Sequence, residues 1–180
     1  MKKCISMILS FFLLTLCLSI GAKAANVVLS PQKLTVNGSP VECEKYNIDG
    51  SNYFKLRDIA YLLNGTESQF EVGYDNITRT VTVMSGPAYT PTGSELVIGE
   101  DKSDTAVPSS QAVIINGQRV EDISVYNLAG NNFFKLRDLG SALGFSVDYD
   151  KASNTAIILS EKTYPASMSA AEIFEKYSSA

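Results

Sequence analysis

The sequence predicts an α+β protein made of two tandem copies of a small antiparallel β-sheet packed with one short helix, plus a short C-terminal helix. Three observations carry this. The block Tyr46 to Asp58, YNIDGSNYFKLRD, returns as Tyr126 to Asp138, YNLAGNNFFKLRD, with nine of thirteen positions identical. In both copies the apolar spacing passes from period two to helical spacing and back to period two. Asn-Gly and related turn pairs interrupt both copies at matching places.

In chain order, Lys2 and Lys3, the apolar stretch Ile5 to Ile20 and the small residues of Ala22-Lys23-Ala24 have the order of a secretory signal peptide, with cleavage expected after Ala24. A crossing helix needs roughly 20 apolar residues, and this run is shorter and broken by Ser6, Ser10, Thr15 and Ser19, so no stable membrane anchor is expected after cleavage. Leu14-Thr15-Leu16 before Cys17 lacks the small residues that precede a lipid-modified cysteine. The first copy is expected over residues 29–86. Leu34 and Val36, the turn Asn37-Gly38, then Val41 and Cys43 predict a hairpin. Asp49-Gly50 predicts a second turn into an aromatic strand at Tyr53-Phe54, and Leu56, Ile59 and Leu63 predict a short helix stopping at Asn64-Gly65. Phe70, Val72 and Tyr74, then Val81 and Val83, complete the unit as two strands.

Residues 87–110 are rich in Pro, Gly, Ser, Thr and acidic side chains and are predicted to link the copies. Within them Leu96 to Ile98 reads either as an edge strand or as part of an extended tether. The second copy is expected over 111–160, with one extra residue before its tyrosine and five fewer after its helix, where Gly144 replaces Asn64 to Gln69. Ser169-Ala170-Ala171-Glu172 is a capping box ahead of Ile173, Phe174 and Tyr177, predicting a helix over 168–178.

Cleavage after Ala24 leaves 12 basic against 19 acidic residues, a net charge of −7, which repels nucleic acid. Cys43 is then the one cysteine left, and its place in an alternating run predicts a small buried hydrophobe. The chain contains no histidine. That removes the commonest general base, nucleophile-activating partner and transition-metal ligand. No phosphate loop, EF-hand loop or CxxC pair is present, so no catalytic residue, metal or cofactor is expected. Paired carboxylates could still serve a hydrolase. Yet Asp58, Asp75, Asp138 and Asp150 all belong to the repeated motif, and a catalytic pair rarely needs to be present twice.

The repeated Lys55, Leu56, Arg57 and Asp58, with Lys135, Leu136, Arg137 and Asp138, open the short helices, where the helix dipole favours the acid and not the bases. One reading has Arg57 and Arg137 reach Asp75 and Asp150 and tie helix to hairpin. The other has each arginine, with Tyr46 or Tyr126, face solvent and hold an anionic or sugar ligand. Tyrosines at strand ends beside Asn52 and Asn132 would suit a carbohydrate, making Tyr46, Asn52, Tyr126 and Asn132 the candidate binding residues.

The repeated pattern, a hairpin with Asn-Gly, YNxxGxNxFKLRD, a short helix ending in Gly and FxVxYD, resembles the copper amine oxidase N-terminal-like domain. This stalk domain occurs in secreted proteins of Gram-positive, especially clostridial, bacteria. The broader family often has Pro-Leu-Arg where this chain has Lys55-Leu56-Arg57 and Lys135-Leu136-Arg137. The resemblance implies a stalk-like accessory module; the copper and quinone of amine oxidases belong to a separate domain. Together these readings predict a non-catalytic module, secreted or wall-associated, that binds or spaces at the envelope. The partner would be wall glycan or peptidoglycan, or else another envelope protein bound by strand pairing.

Overall fold

The computed structural model describes residues 25–160. The predicted signal peptide, 1–24, and C-terminal helix, 168–178, lie outside the described residues. The first copy contributes β1 (Val27–Leu29), β2 (Lys33–Val36), β3 (Ser39–Val41), β4 (Lys45–Ile48), β5 (Ser51–Lys55), α1 (Leu56–Leu62), β6 (Phe70–Asp75) and β7 (Thr80–Ser85). After a 3-10 turn at Ser103–Thr105, the second contributes β8 (Val107–Pro108), β9 (Ala112–Ile115), β10 (Gln118–Val120), β11 (Val125–Leu128) and β12 (Asn131–Lys135). It closes with α2 (Leu136–Leu143), β13 (Ser146–Asp150) and β14 (Thr155–Leu159). The series of β-strands and the helix therefore recur one for one, and β1 and β8 add an edge strand that the sequence did not suggest.

The arrangement of these elements overturns the predicted class. The protein is mostly β, 43% strand against 13% helical, in three sheets with two α-helices among the described residues. No sheet belongs to one copy. The six-stranded sheet runs β1-β4-β5-β12-β11-β8, and the four-stranded sheets run β10-β9-β7-β6 and β13-β14-β2-β3. The first hairpin of each copy pairs, in parallel, with the last hairpin of the other: Leu34 lies opposite Ala156 and Val81 opposite Val113. Local periodicity dictates each hairpin, but the partner of a hairpin's inner strand is set by which apolar faces can close over one core. Here that choice exchanges hairpins between copies.

The copies meet at β5 and β12, antiparallel, with Phe54 opposite Phe134, flanked by Lys55–Phe133 and Tyr53–Lys135. The register is symmetric about the Phe54–Phe134 pair, so an approximate two-fold axis runs between them. Successive strand side chains point to opposite faces. Phe54 and Phe134 accordingly enter the main core with Leu34, Val36, Ile59, Val83, Ile115, Leu139 and Ile158, drawn from both copies. Tyr53 and Phe133 face the other way into an aromatic cluster with Tyr46, Ile48 and Leu128. There Tyr46 meets Phe133 edge-on at 5.3 Å and Tyr126 meets Tyr53 at 5.4 Å, the same contact made twice. Cys43 is in the main core, and burial pushes its thiol up to about 12.

Residues 87–106 touch both copies: Tyr89 and Leu96 sit on the first, and the Thr105 hydroxyl accepts the Ala129 amide of the second at 3.0 Å. Tyr89 is buried, exchanging backbone hydrogen bonds with the Asn64 amide at 3.0 and 3.2 Å. Leu96 to Ile98 forms no strand; instead the Leu96 amide donates to Asp58 Oδ1 at 3.1 Å, with Leu96 in a left-handed turn.

The shorter helix exit of the second copy has a local consequence. Gly140 corresponds to Ala60, but a Cβ at Gly140 would stand 2.9 Å from the Phe145 carbonyl oxygen and 2.8 Å from Val147 Cγ2. Alanine favours a helix by about 1 kcal/mol over glycine. Overpacking against a backbone oxygen costs about 1–3 kcal/mol. Gly140→Ala is therefore expected to lower the thermal midpoint, although it restores the residue type of the first copy; a rise would mean that the Gly144 turn yields.

Candidate functional site: paired clefts between the copies

The motif residues first explain the local structure. Asn47 Oδ1 accepts the Gly50 amide at 3.1 Å, and Asn127 Oδ1 accepts that of Gly130 at 3.1 Å. The same asparagines donate to Asn52 Oδ1 and Asn132 Oδ1 at 3.3 and 3.2 Å. Asn52 and Asn132 in turn donate to Gln32 Oε1 and Gln111 Oε1, both at 2.8 Å. Each chain of three amides fastens the β4–β5 or β11–β12 turn to the segment entering the preceding hairpin. These bonds fix the orientation of the amides.

The exchange of hairpins turns these amide chains into walls of two related clefts. The larger, about 510 Å³, has Gln32, Asn47 and Asn52 from the first copy facing Lys135, Arg137 and Tyr149 from the second. The smaller, about 280 Å³, has Gln111 and Asn132 from the second copy facing Lys55, Arg57 and Tyr74 from the first. Each cleft thus combines the arginine and tyrosine of one copy with the amides of the other. Asn52 and Asn132 line the clefts. Tyr46 does not: it is fully buried, its hydroxyl donating to Glu44 Oε1 at 2.9 Å and accepting the Lys102 amide at 3.0 Å. Burial first, and the Glu44 carboxylate with it, pushes that phenol up to about 12. Tyr126 is half-buried beside Tyr53, on the aromatic side of the central sheet.

The expected ties from Arg57 to Asp75 and from Arg137 to Asp150 do not form. Asp75 Oδ1 accepts the amides of Ile77 and Thr78 at 2.8 and 3.3 Å, and Asp150 accepts the Ala152 amide at 2.9 Å and the Ser153 hydroxyl. The hydroxyls of Thr78 and Ser153 and these amides hold both carboxyls below their ordinary range. A short polar hairpin supplies its own donors, leaving the arginines to the clefts.

The lysines and helix acids form a second cluster. Lys55 Nζ lies 3.6 Å from Asp58 Oδ1 and 3.8 Å from Glu44 Oε2, and Lys135 Nζ lies 3.6 Å from Asp138 Oδ1. Asp138 also accepts the Ser124 amide at 3.3 Å. Leu56 and Leu136 are core residues. Asp58 is fully buried, and its Oδ2 is the one sealed side-chain oxygen or nitrogen without a hydrogen bond among the described residues. Burial raises this carboxyl above its ordinary 3.8 against the lowering pull of the Leu96 amide and Lys55. A carboxyl raised by folding favours the fold while it is protonated in both states, below its unfolded value. That contribution is lost as pH rises through the folded value. In Asp58→Asn this loss is expected to vanish, so the urea midpoint of the variant relative to wild type should climb as pH rises above the ordinary carboxyl value of 3.8. A pH-independent difference would mean that Asp58 stays ionised.

Gln32 and Gln111 were not singled out by the motif comparison. A signal was available: Ser30-Pro31-Gln32 recurs as Ser109-Ser110-Gln111, and in both the serine hydroxyl accepts the glutamine amide at 3.3 Å. No protein-family model, curated protein or solved structure matches the chain. The likeness to copper amine oxidase N-terminal-like domains therefore rests on the repeated motif. Among the described residues no group of His, Cys, Asp or Glu is arranged to hold a metal ion, and no helix is long and apolar enough to cross a membrane.

Proposed function

We propose that this protein is a non-catalytic, extracytoplasmic stalk-like module that binds glycan at the cell envelope. The observation that carries this reading is the pair of amide-lined clefts between the copies, each with a tyrosine at its rim. A pyranose presents hydroxyls around its edge and C–H groups on its face; side-chain amides answer the first and a tyrosine ring the second. Tyr74 and Tyr149 are 39% and 38% exposed, with ring surface left for such stacking. The absence of histidine from the sequence suits a module that holds its ligand without transforming it. Partner binding by strand addition is the second reading: Pro40 and Pro108 block pairing at the edge strands β3 and β8, while β1, β6, β10 and β13 are edges without proline.

Incubated with purified Gram-positive cell wall, residues 25–180 are expected to sediment with it and to be released by soluble glycan. Protein left in the supernatant, together with a stoichiometric protein partner recovered from culture medium, would replace glycan with a protein ligand.

A further inference from the structure

Resting on the glycan reading above, we infer that only the larger cleft binds, and that its ligand is a saccharide bearing an anionic oxygen group, a carboxylate or a phosphate.

The two clefts descend from the same residues but use their donors differently. In the smaller, Gln111 Nε2 donates across the opening to Tyr74 Oη at 3.1 Å, joining one wall to the other. Arg57 Nη1 there donates to Tyr89 Oη at 3.4 Å, on the segment that connects the copies. The three groups that could meet an anion are therefore engaged, the third being Lys55 with Glu44 and Asp58, and the cleft is about half the volume of the larger one. In the larger cleft, Tyr149 Oη turns to Asn154 Oδ1 of its own hairpin at 2.9 Å, so no bond crosses the opening. Gln32 and Arg137 have then lost the roles held by Gln111 and Arg57.

What they present is specific. Gln32 Oε1 is taken by Asn52 and its backbone amide by Ser30, which fixes the side chain. Its Nε2 has no hydrogen-bond acceptor among the described residues and is not sealed from solvent, although Gln32 as a whole is only 8% exposed. The Arg137 guanidinium is exposed, with no hydrogen bond or ion pair among the described residues. Lys135 adds positive charge, shared with Asp138. Asp148 at the rim already accepts the Tyr149 amide at 2.7 Å. Asp148 is the one acidic residue of the lining, set against Arg137 and Lys135, so the cleft keeps a positive balance; its uncommitted donors are an amide and a guanidinium, and a guanidinium fork matches the two oxygens of a carboxylate or phosphate.

The test compares wild type, Arg137→Ala and Arg57→Ala, each as residues 25–180, for sedimentation with intact wall and with wall stripped of its phosphate polymers. N-acetylmuramic acid and N-acetylglucosamine, which differ by one carboxylate-bearing group, serve as competitors. Arg137→Ala should weaken binding about tenfold or more, the worth of a charge-assisted hydrogen bond, while Arg57→Ala stays within about twofold. Retention on stripped wall, with competition by N-acetylmuramic acid alone, assigns the carboxylate; retention on intact wall alone assigns the phosphate. Wild-type binding matched by Arg137→Ala, or weakened equally by Arg57→Ala, overturns the assignment and leaves glycan binding standing. No sedimentation of wild type removes the glycan reading itself.

Discussion

Expressed by itself, the first copy, residues 25–86, is expected to be unfolded as a monomer. Removing the second copy takes β14 from β2, β9 from β7 and β12 from β5. The β2–β3 and β6–β7 hairpins, the three-stranded β1-β4-β5 sheet, stripped of Leu128 and Phe133 on one face and Phe134 on the other, and a seven-residue helix remain. An isolated two-stranded hairpin is at best marginal in water, and so short a helix does not persist without packing. Leu34, Val36, Phe54, Val81 and Val83 would face solvent on surfaces that Val113, Ile115, Phe134, Ala156 and Ile158 now cover. Circular dichroism and amide shift dispersion on the monomeric fragment decide the point. A cooperative melt by a monomer would show that one copy is a sufficient folding unit and that the exchanged pairing is secondary.

Phe134→Ala is expected to cost about 3–5 kcal/mol, the range for emptying a large buried aromatic site. Phe134 has no exposed surface and lies on the approximate two-fold axis, opposite Phe54. The vacancy would open between the copies, where each side is fixed by its own hairpins, so collapse around it is restricted. For a domain of this size the thermal midpoint should fall by about 10–20 °C. Tyr61→Ala is the control, on the 43%-exposed face of α1, and should change stability by no more than about 0.5 kcal/mol. Equal effects from the two variants would mean that the β5–β12 seam contributes no more than a surface position.

The sequence disclosed what is written in short-range spacing. Asn37-Gly38 and Asp49-Gly50 announced their turns, Leu56, Ile59 and Leu63 their helix, and the repeated FKLRD the duplication itself. The pairing of Lys33–Val36 with Thr155–Leu159 is different: it joins residues more than a hundred positions apart, and no alternation pattern names a partner. A duplicated sequence makes the ambiguity acute, because each hairpin has two nearly equivalent mates. The candidate clefts suffered similarly. Asn52 and Asn132 stood out because they lie inside the identical block, whereas Tyr149 lines a cleft with Asn52 only once hairpins are exchanged. Tyr46 was conspicuous for the same reason as Asn52, yet its place in the block reflects the aromatic cluster beneath the sheet.

Hairpin exchange also sets a timetable. Synthesis delivers β2 long before β14, which ends at Leu159, so β2 waits for its inner mate after β7 and β5 have met β9 and β12. Pairings of such long sequence separation form slowly. On the proposed extracytoplasmic reading the chain threads its channel in extended form, and early segments with nothing to fold against suit that passage. Closure of the β13-β14-β2-β3 sheet is thereby deferred until the last hairpin arrives.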